Sequence, residues 1–570
     1  MGQADLAFAC AWGLIDELAL GGVRHACVSP GSRSTPLALA VARHPGIEMS
    51  IHLDERSSGF FAQGLARAMR RPVVVLCTSG TAAAELFPAV VEASQSRVPL
   101  LVLTADRPPS LRGSGANQTI DQVELFGRYA RAFLEPPVPA VLEHPQEWRR
   151  AGHAAMGSTA GATPGPVHVN CPFDEPLVPE GEPVPPGVPI GRPPSEGSEP
   201  SPSVAEVERV RAACSGRRGV IVAGGAWTPP GATAFLADRL GWPTLAEPTS
   251  DIRRPGLSLA AGQPLVGAAW ADAHRPDVVL QVGATPTTRS TQRFVARADR
   301  LVVVDAHHLD PDPGRRADER VRTDPDRLAE MLGDGPLEPA PDGWLDEWRL
   351  ADTAARRVLD EMLDRNEKPT QLQIARDVAA AIPSGGTLFA GNSMPIRDLD
   401  HAMAPRDGLQ VLANRGASGI DGLVSTALGI SCAGPRPSGP GPTVALIGDL
   451  SLLHDAGAVL WNARRGFDLT IVVPNNGGGQ IFASLAQRDL PELVELFTTP
   501  ADVDLEELCA AAGARHARVE EAWALGPALE HAMSRGGFHV VEVIVDPGRD
   551  RIQRTLLADE VDGALAALDR

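Results

Sequence analysis

Three doubly wound parallel-sheet domains of the α/β class are predicted for this chain, on three observations. It has 570 residues, more than one hydrophobic core usually supports. Short continuous runs of Val, Leu and Ile alternate with helical patterns along its whole length. Two Pro/Gly-rich breaks, 178–203 and 333–343, cut it into pieces of domain size. The expected extents are 1–180, 200–335 and 350–570.

The first segment carries the apolar runs Val73–Cys77, Leu100–Thr104 and Val167–Asn170. The second carries Val220–Ala223, Val278–Val282 and Leu301–Asp305, and the third Thr387–Ala390, Val444–Ile447, Thr470–Val473 and Val540–Val545. Runs without polar alternation belong to strands buried on both faces, as in parallel sheets covered by helices. Such sheets bind ligands beyond the carboxyl ends of their strands.

Composition removes several alternatives. Hydrophobic residues make up 43% and charged residues 22% of the chain, as in an ordinary globular protein. A net charge of −19 argues against general nucleic-acid binding. Lys368 is the single lysine, so no phosphate-binding loop ending in Gly-Lys-Ser/Thr exists. A pyridoxal Schiff base would have to fall on that residue, beside Pro369. The seven cysteines are scattered without a C-x-x-C pair, as suits a reducing cytoplasm. The stretch Met1–Leu20 carries Asp5 and Asp16 and lacks a basic start, unlike a signal peptide, and no apolar run reaches a membrane span. A cytoplasmic protein is expected.

The chemistry concentrates in the third segment. A strand over 443–447 ends in Gly448-Asp449, a helix-like stretch covers 455–463, and a strand over 469–473 ends in Pro474-Asn475-Asn476-Gly477-Gly478-Gly479. This is one βαβ unit, so Asp449 and Asn476 emerge at one sheet edge. Their side-chain oxygens, with a carbonyl freed by the glycine turn at Gly478, are hard ligands suited to Mg²⁺, leaving positions for phosphate oxygens and water. Either motif alone reads as a turn after a strand. Together, at this separation, they resemble the Gly-Asp…Asn-Asn signature of thiamine-diphosphate enzymes.

In the first segment Asp54-Glu55-Arg56 opens a helix whose apolar face is Phe60, Phe61, Gly64, Leu65, Ala68 and Met69. An acid in a first turn ordinarily complements the helix dipole. The resemblance implies more: a Glu beside N1′ of the aminopyrimidine, whose hydrogen bond activates the cofactor. A protonated carboxyl serves that bond, so burial has to outweigh the dipole. Glu55 is the candidate.

Further motifs narrow the resemblance: Ser29-Pro-Gly-Ser-Arg-Ser-Thr-Pro36, Asp54-Glu-Arg-Ser57, Thr78-Ser-Gly-Thr81, Thr104-Ala-Asp-Arg-Pro-Pro109, Gly115-Ala-Asn-Gln118, Gly391-Asn-Ser-Met-Pro-Ile-Arg397, Asn414-Arg-Gly-Ala-Ser-Gly-Ile-Asp421, Gly448-Asp-Leu-Ser451 and Asn475-Asn-Gly-Gly-Gly-Gln-Ile-Phe482. In this order they resemble the 2-succinyl-5-enolpyruvyl-6-hydroxy-3-cyclohexene-1-carboxylate synthases of menaquinone biosynthesis over nearly the whole chain. The resemblance implies a transferase with the thiamine-diphosphate-binding fold in its first and third domains. It implies decarboxylation of 2-oxoglutarate and addition of the resulting carbanion to isochorismate, with thiamine diphosphate and Mg²⁺ or Mn²⁺. It also implies a homodimer or homotetramer with the cofactor at the subunit interface.

The roles it implies are these. Glu55 and Gln118 are catalytic. Gly419, Ile420, Gly448, Asn476, Gly478 and Ile481 join Glu55 in holding the cofactor, and Asp449, Asn476 and Gly478 hold the metal. Ser32, Arg33, Arg107, Asn117, Ser393, Arg397, Arg415, Phe482 and Leu485 contact substrate. Both substrates carry two carboxylates, which arginines in strand-end loops grip by bidentate charge-assisted bonds. Two departures stand out. Where the family often has a Lys-Arg pair contributing to substrate binding, this chain has Arg289 followed by Ser290, so Arg289 alone is assigned to substrate there, and Pro474 occupies a usual strand position. Val220-Ile-Val-Ala-Gly-Gly225 does not complete G-x-G-x-x-G, so the central domain is expected to be structural. An acetolactate-synthase-like enzyme and a non-catalytic thiamine-fold protein are the rivals. The first needs fewer carboxylate anchors, and the second should lack Glu55, Asp449 or Asn476.

Overall fold

The computed structural model describes residues 2–568 apart from 140–144, 182–185, 192–200, 226–230, 307–310, 434–438 and 440. Half of the first Pro/Gly-rich break, including its 193–198 run, therefore lies outside the described residues.

The N-terminal third builds one sheet from His25–Val28 (β1), Glu48–Ile51 (β2), Val73–Cys77 (β3), Leu100–Asp106 (β4), Phe133–Leu134 (β5) and Pro166–Pro172 (β6), in the order β2-β1-β3-β4-β6-β5. The centre builds a second from Gly219–Ala223 (β7), Thr244–Ala246 (β8), Val278–Val282 (β9), Arg300–Val304 (β10) and Glu319–Val321 (β11), ordered β11-β10-β9-β7-β8. The C-terminal third builds a third from Thr387–Ala390 (β12), Gln410–Ala413 (β13), Thr443–Leu446 (β14), Leu469–Asn475 (β15), Arg515–Val519 (β16) and Phe538–Ile544 (β17), ordered β13-β12-β14-β15-β17-β16. All strand pairs among the described residues are parallel. The first and third sheets follow the same order strand for strand. The direction in which successive strands are added switches between β1 and β3 and between β12 and β14, which are the crevices where such sheets take ligands.

Pro474 lies inside β15, in register with Val543 of β17. Val472 accepts the Ile447 N–H, whereas Asn475 accepts the Val545 N–H. Pro474 is in phase with Val472, so its missing N–H faces the β14 side, beyond the last β14 residue, and no ladder bond is lost.

The helix expected over 455–463 is present as Ala456–Asn462, and a second short helix, Asp449–His454, precedes it. Buried Asp455 separates them because its carboxylate is engaged elsewhere. It accepts the Ser425 N–H at 2.7 Å and the Ser425 hydroxyl at 3.1 Å, in the first turn of the helix Leu423–Cys432.

That helix crosses the Glu55–Met69 helix with glycines at the contact. A Cβ on Gly64 would sit 2.1 Å from the Thr426 carbonyl oxygen, and one on Gly429 would sit 2.0 Å from the Phe61 carbonyl oxygen. Backbones approach this closely only where no Cβ intervenes. Phe61 and Leu65 thereby share one core with Leu423, Leu428, Ala445 and Ile471, and the first and third sheets share a hydrophobic interior. The helix Trp344–Asp364 sends Trp344 and Trp348 into the core of the central sheet, together with Leu557 and Val561. Among the described residues no helix is long and apolar enough to cross a membrane.

Candidate active site

Gly448 caps the helix that Asp449 begins, so the carboxylate sits at the carboxyl end of β14 beside the positive end of a helix. Asp449 is 8% exposed. Its Oδ1 accepts the Leu450 N–H at 2.7 Å and its Oδ2 accepts the Gly478 N–H at 2.8 Å. Burial pushes the carboxyl up, while N–H groups of Leu450, Gly478, Asn476 and Gly477 pull it down. Gly478 has φ +121°, and a Cβ there would lie 2.2 Å from the Thr498 carbonyl oxygen. Only glycine fits this turn. The Gly478 carbonyl accepts the Gln480 N–H at 2.8 Å and keeps a second lone pair.

Asn476 shows what the pocket is built for. Its Nδ2 donates to Gln371 Oε1 at 3.1 Å, while its buried Oδ1 has no hydrogen-bond partner among the described residues. Leaving such an acceptor unsatisfied costs about 1–3 kcal/mol. A carboxylate, an amide oxygen and a turn carbonyl form an all-oxygen donor set that fits Mg²⁺ or Mn²⁺.

Two further loops leave the same sheet edge. Ser393 adopts φ +70° and ψ −120° ahead of the helix Met394–Ala402, and its carbonyl accepts from Arg397 Nη1 at 2.6 Å. Asn392 ties the loops together: its Nδ2 donates to the Gly419 carbonyl at 2.7 Å, and its Oδ1 accepts from Arg415 Nη1 at 2.9 Å. Burial lowers both the Arg397 and Arg415 guanidinium groups. Arg289 lowers Arg397 further, Arg397 does the same to Arg415, and Glu247 opposes both effects. Arg289, exposed at the start of the helix Arg289–Ala296, thus shares the electrostatic neighbourhood of Arg397. A cavity of about 440 Å³ behind this cluster is lined by Arg97, Glu247, Asp305 and Arg415 among others, and neither Asp449 nor Asn476 lines it.

Apolar side chains stand at the margin. Ile420 is 40% exposed. Ile481 and Phe482 lie half-buried on the 3₁₀ turn Gln480–Ser484, with Leu485 following it. The Phe482 ring lies 5.3 Å from that of Phe497.

The N-terminal sheet edge assembles a second group. Glu55 is the first residue of its helix, and Asp54 caps that helix by accepting the Ser57 N–H at 3.3 Å. Burial pushes the Glu55 carboxyl up against its own backbone hydrogen bond, and Asp54 and Glu85 push the same way. Burial therefore outweighs the helix end, as the proposed proton-holding role requires. Buried Arg33 donates to the Phe173 carbonyl and to Glu175 Oε1, each at 3.1 Å. Arg107 donates to Ser79 Oγ at 2.7 Å and to the Gln118 carbonyl at 2.6 Å, and both burial and Arg33 lower its guanidinium. Gln118 has φ +55° and donates from Nε2 to the Ser79 carbonyl at 3.1 Å. Ser32 and Asn117 are exposed beside them.

Arg33, Arg107 and Gln118 therefore lie together, as do Arg289, Arg397 and Arg415. Among the described residues no hydrogen bond or ion pair joins the two groups. Three polar residues tied to the site escape sequence reasoning. Gln371 holds Asn476. Glu247 accepts from the Thr287 N–H at 2.7 Å and the Thr287 hydroxyl at 2.6 Å. Glu92 accepts from the N–H groups of Gly416, Ala417 and Ser418. Asn392 stands inside a recognised motif, and its loop position was the available signal.

Comparison with known proteins agrees with this geometry. Residues 10–125 match the N-terminal TPP binding domain of thiamine pyrophosphate enzymes, and residues 399–543 match the C-terminal TPP binding domain. Those spans carry Glu55 and Asp449 respectively. A 2-succinyl-5-enolpyruvyl-6-hydroxy-3-cyclohexene-1-carboxylate synthase of Thermobifida fusca is 44% identical, covering 97% of this chain and 98% of its own. Proteins of that name from Geobacillus kaustophilus, at 41% over 99% of both chains, and Chloroflexus aurantiacus, at 39% over 97% and 96%, are similar throughout. With both cofactor-binding halves matched and relatives aligned end to end, the chain belongs to the 2-succinyl-5-enolpyruvyl-6-hydroxy-3-cyclohexene-1-carboxylate synthase family of thiamine pyrophosphate enzymes.

Proposed function

We propose that the protein decarboxylates 2-oxoglutarate and joins the remaining four-carbon unit to isochorismate, releasing CO₂ and the product named in its family, with thiamine diphosphate and Mg²⁺ or Mn²⁺ bound. The observation that carries this reading is the buried Asn476 Oδ1, without a hydrogen-bond partner among the described residues, at the sheet edge it shares with the Asp449 carboxylate. When bound, thiamine diphosphate supplies the electron sink for decarboxylation.

The chain's own residues divide the remaining work. Asp449, Asn476 and the Gly478 carbonyl would hold the metal, and Gly448, Gly419, Ile420 and Ile481 would border the cofactor. Burial, with Asp54 and Glu85 nearby, raises the Glu55 carboxyl, and this group would supply the hydrogen bond to the aminopyrimidine ring. Arg33 and Arg107 present positive charge from one sheet edge, and Arg397 and Arg415 from another, with Arg289 beside Arg397. Paired carboxylates on both substrates need such groups, and partial burial strengthens each contact. Ser32, Asn117 and Ser393 add polar contacts, Gln118 orients substrate or water, and Phe482 and Leu485 exclude water from the reacting carbon.

Among the described residues no hydrogen bond or ion pair joins the two arginine groups directly, which supports a site completed by a second copy, in a homodimer or homotetramer. The test is product mass after incubation with thiamine diphosphate, Mg²⁺, isochorismate and either 2-oxoglutarate or pyruvate. The adduct should form with 2-oxoglutarate alone. Preferential consumption of pyruvate would favour an acetolactate-type enzyme instead.

A further inference from the structure

An asparagine can ligate a cation only through Oδ1, yet the shape of an amide does not decide which of its two ends faces the metal. Something else must fix the orientation of Asn476, and a chain of buried groups does so. Asn476 Nδ2 donates to Gln371 Oε1 at 3.1 Å. Gln371 Nε2 donates in turn to Asp550 Oδ2 at 3.0 Å, and the Gln371 backbone N–H donates to Asp550 Oδ1 at 2.8 Å. Asp550 Oδ2 also accepts from Arg554 Nε at 2.8 Å, and Arg554 Nη1 reaches Asp398 Oδ1 at 2.7 Å. Gln371, Asp550 and Asp398 are all less than 7% exposed.

Polarity runs one way along this chain. Asp550 accepts the Gln371 backbone N–H on one oxygen and the always-charged Arg554 guanidinium on the other, so it draws the Gln371 NH₂ toward itself. That leaves Gln371 Oε1 for Asn476, which must turn its own NH₂ toward Gln371 and leave Oδ1 free. We infer that Gln371 and Asp550 are positioning residues of the metal site, whose charge-defined hydrogen bonds set the amide of Asn476 with its oxygen available to a divalent cation. The inference rests on the reading of Asn476 as a metal ligand. Groups behind a ligand that fix its orientation are commonly worth about 10–100-fold in metal affinity.

The test measures Mn²⁺ dissociation constants by calorimetry and by electron paramagnetic resonance, on full-length protein with thiamine diphosphate present, with melting temperatures recorded alongside. Gln371→Met keeps the length of the side chain and the backbone bond to Asp550 but erases the polarity. Asp550→Asn keeps the shape but can both donate and accept. Each should weaken Mn²⁺ binding at least about tenfold, whereas a role in helix packing alone would lower the melting temperature and leave Mn²⁺ affinity unchanged. Affinities within about twofold of the parent for folded Gln371→Met would overturn the inference, and that variant decides should Asp550→Asn fail to fold. Asp449→Ala separates the two levels. If it abolishes Mn²⁺ uptake while Gln371→Met does not weaken it, the relay alone falls. If it retains parental affinity, the metal site and the relay fall together.

Discussion

The Glu92 carboxylate, on a helix of the N-terminal third, accepts the Gly416 N–H of the C-terminal third at 2.8 Å. It also accepts the N–H groups of Ala417 at 2.6 Å and Ser418 at 3.3 Å, with Arg67 3.7 Å away. One carboxylate thus anchors the loop that carries Arg415 at one end and Ile420 at the other. Glu92→Ala strands these N–H groups, and each charge-assisted bond contributes about 1.5–3 kcal/mol. The expected outcome is a lower melting temperature together with a raised KM for the 2-oxo acid. An unchanged KM in the folded variant would show that the loop holds its shape without Glu92.

Arg397→Ala should lower kcat/KM for 2-oxoglutarate by about 10–100-fold, the worth of one charged hydrogen bond. Thiamine diphosphate affinity, measured by calorimetry, should stay close to the parent value. An equal loss of both would place Arg397 on the cofactor rather than on substrate.

Glu55→Gln and Asp449→Ala proteins should each be inactive, and mixing them under subunit-exchange conditions should restore activity. In a shared-site dimer every hybrid carries one site with both substitutions and one with neither. No recovery after verified exchange would mean that each chain completes its own site.

Asp455 predicts a pH dependence. Burial lifts its carboxyl from the ordinary 3.8 to about 6, against the hydrogen bonds from Ser425. Between those values the folded protein keeps a proton that the unfolded chain has released. The group's stabilising contribution is therefore complete below 3.8 and lost as pH rises through about 6. Asp455→Asn does not titrate, so its melting temperature should gain on the parent's as pH rises across that window. The full gain is about 3 kcal/mol. A difference flat with pH would contradict a raised value.

Gly429→Ala should destabilise the protein by about 1–3 kcal/mol or prevent folding, because the added carbon meets the Phe61 carbonyl oxygen. Chemical denaturation measures it. A neutral result would require the two helices to separate at no cost.

The interior strands could be read from the sequence because burial on both faces leaves unbroken apolar runs, as in Val73–Cys77 and Val278–Val282, which match the structure end to end. The edge strands could not. Glu48–Ile51 is largely exposed and Arg515–Val519 sets two arginines and a histidine among Ala517 and Val519, so neither shows an apolar run. Motif residues such as Asp449 and Asn476 were legible because strand ends announce them. Gln371, Glu92 and Glu247 were not, since each acts on groups far away in sequence and a polar residue on a helix or after a short strand reads as surface. Asn476 and Gln371 are 105 positions apart, and only folding makes them neighbours.

The close helix approach at Gly64 and at Gly429 carries a consequence for how the sequence can drift. What blocks a methyl group at either position is a main-chain oxygen, which every amino acid possesses. No second-site suppressor that trims a nearby side chain can make room, so the pair has no evolutionary escape short of re-spacing two helices.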